Sequence, residues 1–341
     1  MNKSFASDNN SGVHPNILNA IVTANNNHYV SYGDDPITQK AIQLFKQNFG
    51  DEIEVFFVLT GTGANVTALQ SYTDRFNAVI CVDTAHINVD ECGAPEHALS
   101  AKLINIKTDD GKLRPEHIKP YLHFLGDQHH IQPKVISITQ PTELGTLYSI
   151  DELKSLIDFA HQQGLKVHLD GARLANAVVA LNSSFKQLCS DLKIDVLSFG
   201  GTKNGMLAGE AVIFFNKEDA KYYPFIRKQN MQLISKMRYI SAQFIPYFEN
   251  NIWYTNAKQA NEMALYLYQK LNDFMPKSII FKPKANALFV KLNKDIISKM
   301  QAERFFYTWD EDEGVVRFMT SFDMTKEDID DFVLFIKKYI D

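Results

Sequence analysis

Cysteine is scarce in this chain: its 341 residues include three, Cys81, Cys92 and Cys189. An odd number without paired spacing argues against a disulfide framework and against a zinc site, so no metal is expected. Cys81 lies inside an apolar run and reads as core. No run of 18 apolar residues occurs, which leaves no candidate for a spanning helix. The opening residues, MNKSFASDNNSG, hold no apolar signal core. Basic tracts are missing too. With 35 Lys and Arg against 40 Asp and Glu, the formal net charge is −5, so neither nucleic acid nor an anionic membrane is an expected partner. Internal repeats and low-complexity segments are absent. These absences together lead to the expectation of a cytoplasmic enzyme.

What is present is ordinary for a folded protein: 45% hydrophobic, 22% charged and 12% aromatic residues. At roughly 100–200 residues per domain, the length suggests two domains or one large and one small. Seven short apolar runs read as strands: EVFFVL (54–59), NAVICV (77–82), KLINIK (102–107), KVISIT (134–139), KVHLD (166–170), DVLSFG (195–200) and EAVIFF (210–215). Helical patterns separate them, among them an amphipathic stretch over 153–163. Continuous apolar strands alternating with helices predict an α/β fold with a mostly parallel seven-stranded sheet covered on both faces. Ligands of such sheets bind beyond the carboxyl ends of the strands. After residue 216 the pattern turns helical, with long helices expected over 229–249 and 252–272. SIIFKP (278–283), NALFVKL (286–292) and VVRFMTSF (315–322) then read as strands, and KEDIDDFVLFIKKYI (326–340) as a closing helix. The division expected is an N-terminal segment 1–30, a large domain 31–250 and a small C-terminal α+β domain 251–341.

The polar residues that follow these strands carry the chemistry. Lys203 lies in SFGGTKNGM, flanked by Gly200, Gly201 and Gly205 on backbone that can turn sharply. It is either a solvated loop lysine or a group that attacks a bound aldehyde to form a Schiff base. Asp170 ends KVHLD and opens Asp-Gly-Ala-Arg. It is either a helix N-cap or the carboxylate that keeps the pyridine nitrogen of pyridoxal 5′-phosphate (PLP) protonated. One strand–helix–strand unit separates the two, which puts them on the same rim. Thr60-Gly61-Thr62-Gly63-Ala64-Asn65 joins a strand to a helix, where N–H groups and the helix dipole cradle a phosphate; a plain tight turn is the alternative. The turn is not a Walker motif, which needs a lysine and hydroxyl at its end. His86 follows NAVICVDTA and is placed to stack on a planar cofactor or move a proton. Asp90 and Glu91 come one turn later. Arg173 and Arg317 are candidates for carboxylate recognition, since a guanidinium matches a carboxylate bidentately. For Arg317, a structural salt bridge is the other reading.

Taken in order, seven motifs spell a family. FASDNNSGVHP, SYGDDPITQKA, LTGTGANVTAL, DTAHINVDECGAPE, TQPTELGTLYS, HLDGARLANA and SFGGTKNG resemble the bacterial low-specificity L-threonine aldolases of PLP fold type I, over almost the whole chain. The resemblance implies that Lys203 carries the cofactor, Asp170 pairs with its ring nitrogen and His86 stacks on the ring. Gly61 and Thr62 would hold the phosphate with help from Thr202 or Ser198. Ser7, Arg173 and Arg317 would hold the substrate carboxylate. His130, in DQHHIQPKVI, falls where a family histidine approaches the substrate hydroxyl, with His129 beside it; either His86 or His130 would be the base. Tyr32 would reach into a neighbouring subunit's site, in a homotetramer built as a dimer of dimers. The implied reaction is aldol cleavage of L-threonine or L-allo-threonine to glycine and an aldehyde. The alternatives are another fold type I lyase acting by β-elimination, and a catalytically silent PLP-fold binding protein. Asn204 and Met206 depart from the family's smaller residues beside the lysine.

Overall fold

The structure, a computed structural model, describes residues 3–340. Its main sheet has seven strands: β1 (Glu54–Val58), β2 (Asn77–Val82), β3 (Lys102–Ile106), β4 (Gln132–Thr139), β5 (Lys166–Gly171), β6 (Val196–Gly200) and β7 (Glu210–Phe214). Across the sheet they lie in the order β1-β7-β6-β5-β4-β2-β3. The run from β3 to β6 is parallel; β7 is antiparallel to both β6 and β1. Each of the first seven apolar runs expected as strands is one, within two residues at either end.

Burial on both faces explains why these strands are continuously apolar rather than alternating. Every residue of β2, β6 and β7 is buried. Val196 and Val212 pack with Ala64 and Ala68 of the helix Gly61–Gln70. Their neighbours Leu197, Phe199, Ala211 and Ile213 join the other cluster, with residues of Pro36–Phe49 and Arg238–Glu249. At its centre the Phe45 ring lies 4.9–5.7 Å from those of Phe57, Phe199, Phe244 and Phe248. The crossover helix Ile150–Gln162 begins in a capping box: Ser149 Oγ accepts from the Glu152 N–H, and the Glu152 carboxylate accepts from the Ser149 N–H.

The expected helix 229–249 is broken. One helix ends at Gln229 and the next starts at Arg238. Met231 takes a positive φ of 60°, which a helix cannot continue through. Gln232 then turns back, and its Oε1 accepts from the Leu59 N–H at 3.1 Å. It fills the space over Gly63, where a Cβ would come within 2.4 Å of Gln232 Cδ.

A second sheet holds β8 (Ala287–Lys291), β9 (Tyr307–Asp310) and β10 (Val315–Met319), antiparallel in the order β8-β10-β9. SIIFKP, expected as a strand, contributes a single bridge, Ile279 to Val290. The third strand is β9, a half-exposed edge strand whose Tyr-Thr-Trp-Asp run lacks the apolar density that marks a buried one. Helix Lys326–Ile340 covers this sheet. Phe5 stacks on its Phe332 at 3.8 Å, and the Met319 N–H donates to the Phe5 carbonyl. The chain therefore starts on the small sheet, crosses to the large one at residues 7–11, and packs the helix Pro15–Thr23 on Arg238–Glu249.

Candidate active site

A cleft of about 640 Å³ opens beyond the carboxyl ends of β2, β4, β5 and β6 and is closed on its far side by the small sheet. Ser7, His86, Asp170, Arg173, Lys203 and Arg317 line it together. Local backbone explains the convergence. A Cβ on Gly200 would lie 2.7 Å from Ala172 backbone, so glycine lets the end of β6 close on the end of β5. Gly205, at φ +99°, reverses the chain after Lys203. The two residues that depart from the family pattern anchor this turn from beneath. Asn204 donates to the Tyr247 hydroxyl and the Trp253 carbonyl, each at 2.9 Å, and buried Met206 packs under Gly201.

Asp170 is buried. Burial opposes its ionisation, but the charge on His86, the Ala172 N–H, His168 and Asn65 together hold its carboxyl below the usual range. Asn65 donates to Asp170 Oδ2 and to Glu91 Oε1, both at 2.8 Å. Glu91 Oε1 also holds His86 Nδ1 at 2.8 Å. That hydrogen bond is the largest influence on His86 and raises its pKa, against burial. Lys203 is shifted the other way. The neighbouring Arg173 cation and burial weaken its hold on its proton, which favours the attacking amine.

Asn65 also ties the phosphate turn to this rim, since it sits one turn below Gly61 and Thr62 in the helix Gly61–Gln70. Thr60 Oγ1 caps the Gly63 N–H at 3.0 Å, leaving the first-turn N–H groups of Gly61 and Thr62 for an anion. The hydroxyls expected to help are engaged elsewhere. Thr202 Oγ1 donates to Glu210 Oε1 at 2.6 Å. Ser198 Oγ is 2.9 Å from His168 Nε2, inside the core beneath Asp170.

The arginines differ from expectation in one respect. Arg173 is already paired: Nε and Nη2 donate to Asp8 Oδ2 and Oδ1 at 2.6 and 2.8 Å, and Asn286 also donates to Asp8. Arg317 is the guanidinium without a carboxylate. It lies over the Tyr307 and Trp309 rings, 5.9 and 5.3 Å from their centres, and its buried Nε has no partner among the described residues. Burial and Arg173 lower its pKa.

Six expected residues do not line this cleft: Gly61, Thr62, Ser198 and Thr202, described above, and His130 and Tyr32. His130 is exposed on the loop before β4, stacked on Phe124 at 4.6 Å and 3.6 Å from Asp127. Tyr32 is exposed at φ +65°, under the Lys228 ammonium at 5.2 Å. Sequence reasoning named neither Asn65 nor Asp8 for a role, although both stand inside recognised motifs. It also passed over Glu143, in TQPTELGTLYS, which lines the cleft. Among the described residues, no cluster of three or more His, Cys, Asp or Glu is arranged to hold a metal ion.

Comparison with known proteins agrees with this geometry. The beta-eliminating lyase family model matches residues 4–295. A low-specificity L-threonine aldolase from Pseudomonas aeruginosa is 41% identical over 94% of this chain and 92% of its own. A threonine aldolase structure from Leishmania major superimposes with TM-score 0.90, at 28% identity and 99% coverage of both chains. Cystalysin from Treponema denticola, whose structure contains pyridoxal 5′-phosphate, shares the fold at TM-score 0.71, with 11% identity over 99% of this chain and 91% of its own. The chain belongs to the beta-eliminating lyase family, on the branch of the low-specificity L-threonine aldolases.

Proposed function

We propose that this protein is a PLP-dependent carbon–carbon lyase that cleaves L-threonine, L-allo-threonine and related β-hydroxy amino acids to glycine and acetaldehyde or another aldehyde. The observation that carries this reading is the triad of environments in one cleft. Lys203 is disposed to lose its proton, Asp170 is buried and held ionised, and Arg317 lacks an anionic partner. These fit PLP and an amino-acid carboxylate. Lys203 would hold the cofactor's aldehyde carbon, Asp170 would face the ring nitrogen, His86 would cover the ring, and the Gly61 and Thr62 N–H groups would take the phosphate. Bound there, the cofactor supplies an electron-poor ring that takes up the electron pair released at Cα.

The protein's own work is orientation and proton control. Arg317 and the Ser7 hydroxyl hold the substrate carboxylate, and Arg173, fixed by Asp8, supports them. Holding the carboxylate stops rotation about Cα, which would fix the direction in which the Cα–Cβ bond points. Orientation of this kind contributes several kcal/mol, within the ceiling of about 7–11 kcal/mol for proximity effects. His86, tied through Nδ1 to Glu91, would cover the ring and keep water from it, and that hydrogen bond raises its affinity for a proton.

We also propose that the enzyme works in the cytoplasm as a homotetramer, a dimer of dimers. The support is that several large apolar side chains, among them Leu18, Val22, Phe225 and Met231, stand exposed, as a self-association surface requires; light scattering of the purified protein measures it. The test of function is a product assay with L-threonine and L-allo-threonine. Glycine plus acetaldehyde is expected; a 2-oxo acid and ammonia would make it a β-eliminating enzyme instead.

A further inference from the structure

Aldol cleavage needs a base for the β-hydroxyl proton, and the two histidines expected for it are poorly placed in this chain. His130 lies outside the cleft. His86 is bound through Nδ1 to the buried Glu91 carboxylate, which biases the ring toward the imidazolium, a donor. Glu143 has the geometry that they lack. It sits just beyond β4 on the cleft wall. One oxygen, Oε1, is pinned by the His86 N–H and the Thr139 hydroxyl, each at 3.0 Å. The other, Oε2, is shielded from water and has no hydrogen-bond partner among the described residues. A buried carboxyl oxygen left unsatisfied is costly unless it has a partner at some point in the working cycle.

We propose that Glu143 is the catalytic base of the cleft, with Oε2 receiving the proton of the substrate's β-hydroxyl. The role rests on aldol cleavage being the reaction. The O–H bond breaks and its proton moves to Oε2. The electron pair left on oxygen forms the carbonyl of the departing aldehyde as the Cα–Cβ bond breaks, and that bond's pair passes to the bound cofactor. Glu143 then releases its proton to water at the cleft mouth. Lys203, freed when the substrate amine takes its place, protonates Cα, so one proton is lost and one gained.

The electrostatics suit a base that cycles near neutrality. Burial first, and then the Asp170 charge, push the Glu143 carboxyl up to about 7 against its hydrogen bonds. The groups bearing on it are Asp170 on β5, Arg173 just after it, Cys81 on β2, Tyr148 on the loop after β4, and His86 through its backbone N–H. A carboxyl in this range is ionised enough to accept a proton and basic enough to hold it.

Glu143→Gln and Glu143→Asp, prepared as holoenzymes, test this. Glutamine keeps the Oε1 acceptor but mimics a carboxyl that is always protonated. We expect kcat with L-threonine to fall about 10²–10⁴-fold in E143Q, the scale of general-base catalysis, with KM within about threefold and the activity limb near pH 7 gone. E143D should restore part of kcat. Exchange of the glycine α-proton with solvent deuterium, which needs Lys203 and Asp170 but no β-hydroxyl base, should persist in E143Q. Infrared titration of the substrate-free wild-type protein should show carboxyl absorbance with midpoint near 7 that falls in E143Q to the share of Glu210, a second carboxyl that burial pushes up to about 7. Near-normal kcat in E143Q, no fall in that absorbance, or joint loss of cofactor absorbance and glycine exchange in both variants would overturn the assignment. If the wild-type enzyme releases no aldehyde while that fall is seen, the reaction is wrong and the titrating carboxyl stands.

Discussion

The cleft has two unlike walls. The wall at the rim of the main sheet is polar and cross-linked: Asp170, Asn65, Glu91 and His86 form one hydrogen-bonded chain, with Asn65 Oδ1, Glu91 Oε2 and Glu143 Oε2 left without a partner among the described residues. The wall on the small sheet is one cation, Arg317, on the aromatic rings Tyr307 and Trp309. A cross-linked network holds its members in place before a ligand arrives, which suits a group that stays bound through many turnovers. An unpaired cation over rings has attraction left to give, which suits a carboxylate that enters and leaves each cycle. Asp8 and Arg173 sit at the seam between the walls.

That contrast can be broken experimentally. Lys203→Ala should have the largest effect: the visible absorbance of the purified protein disappears and cleavage falls below detection. Absorbance unchanged from wild type would dissolve the cofactor wall as described. Asp8→Ala comes next, because it strands the Arg173 guanidinium. Removing one partner of a buried pair costs about 3–5 kcal/mol, and the lower end applies here because Arg173 keeps part of its surface on the cleft. Denaturant midpoints measure it; an unchanged midpoint would show the seam to be held by other contacts. The pH dependence has a definite sign. Burial opposes ionisation of Asp8, but Arg173 holds its folded pKa below the ordinary value of 3.8. The pair's contribution is therefore full above about pH 4 and fades as pH falls through the depressed folded value. The wild-type advantage over D8A should shrink only in acid.

Arg317→Ala tests the other wall. Hydrogen bonds to a charged group are worth about 1.5–3 kcal/mol, so kcat/KM should fall roughly 10- to 150-fold, mostly through KM, while cofactor absorbance stays. A change under threefold would remove Arg317 from substrate binding. His130→Ala should have the smallest effect, under about tenfold in kcat, below the roughly 10²–10⁴-fold scale of a general base. A larger loss would mean that a second copy of the chain delivers His130 to the cleft and that the two walls of one chain are not the whole site.

The parallel core was legible because strands buried on both faces leave contiguous apolar runs such as NAVICV and DVLSFG. Lys203 and Asp170 were legible because both directly follow such runs. β9 was not, being a half-exposed edge strand, and the helix break after Gln229 hid behind residues with ordinary helical propensity. Thr202 or Ser198 was expected to help hold the phosphate on the strength of the family resemblance alone. Their actual partners, Glu210 and His168, come from neighbouring strands.

By itself the sequence determined the α/β class, the rim on which the chemistry stands, and the residue types able to hold PLP and a carboxylate. Those follow from periodicity and from what each side chain can donate or accept, which are properties of short stretches of chain. Only the tertiary structure decided which groups are already occupied. Asp8 meets Arg173 across 165 residues, Asn65 meets Asp170 across 105, and Glu143 receives one N–H from a loop 57 residues earlier. Pairing and burial set the charge each group carries, and both depend on packing between segments whose separation along the chain says nothing about their distance in space.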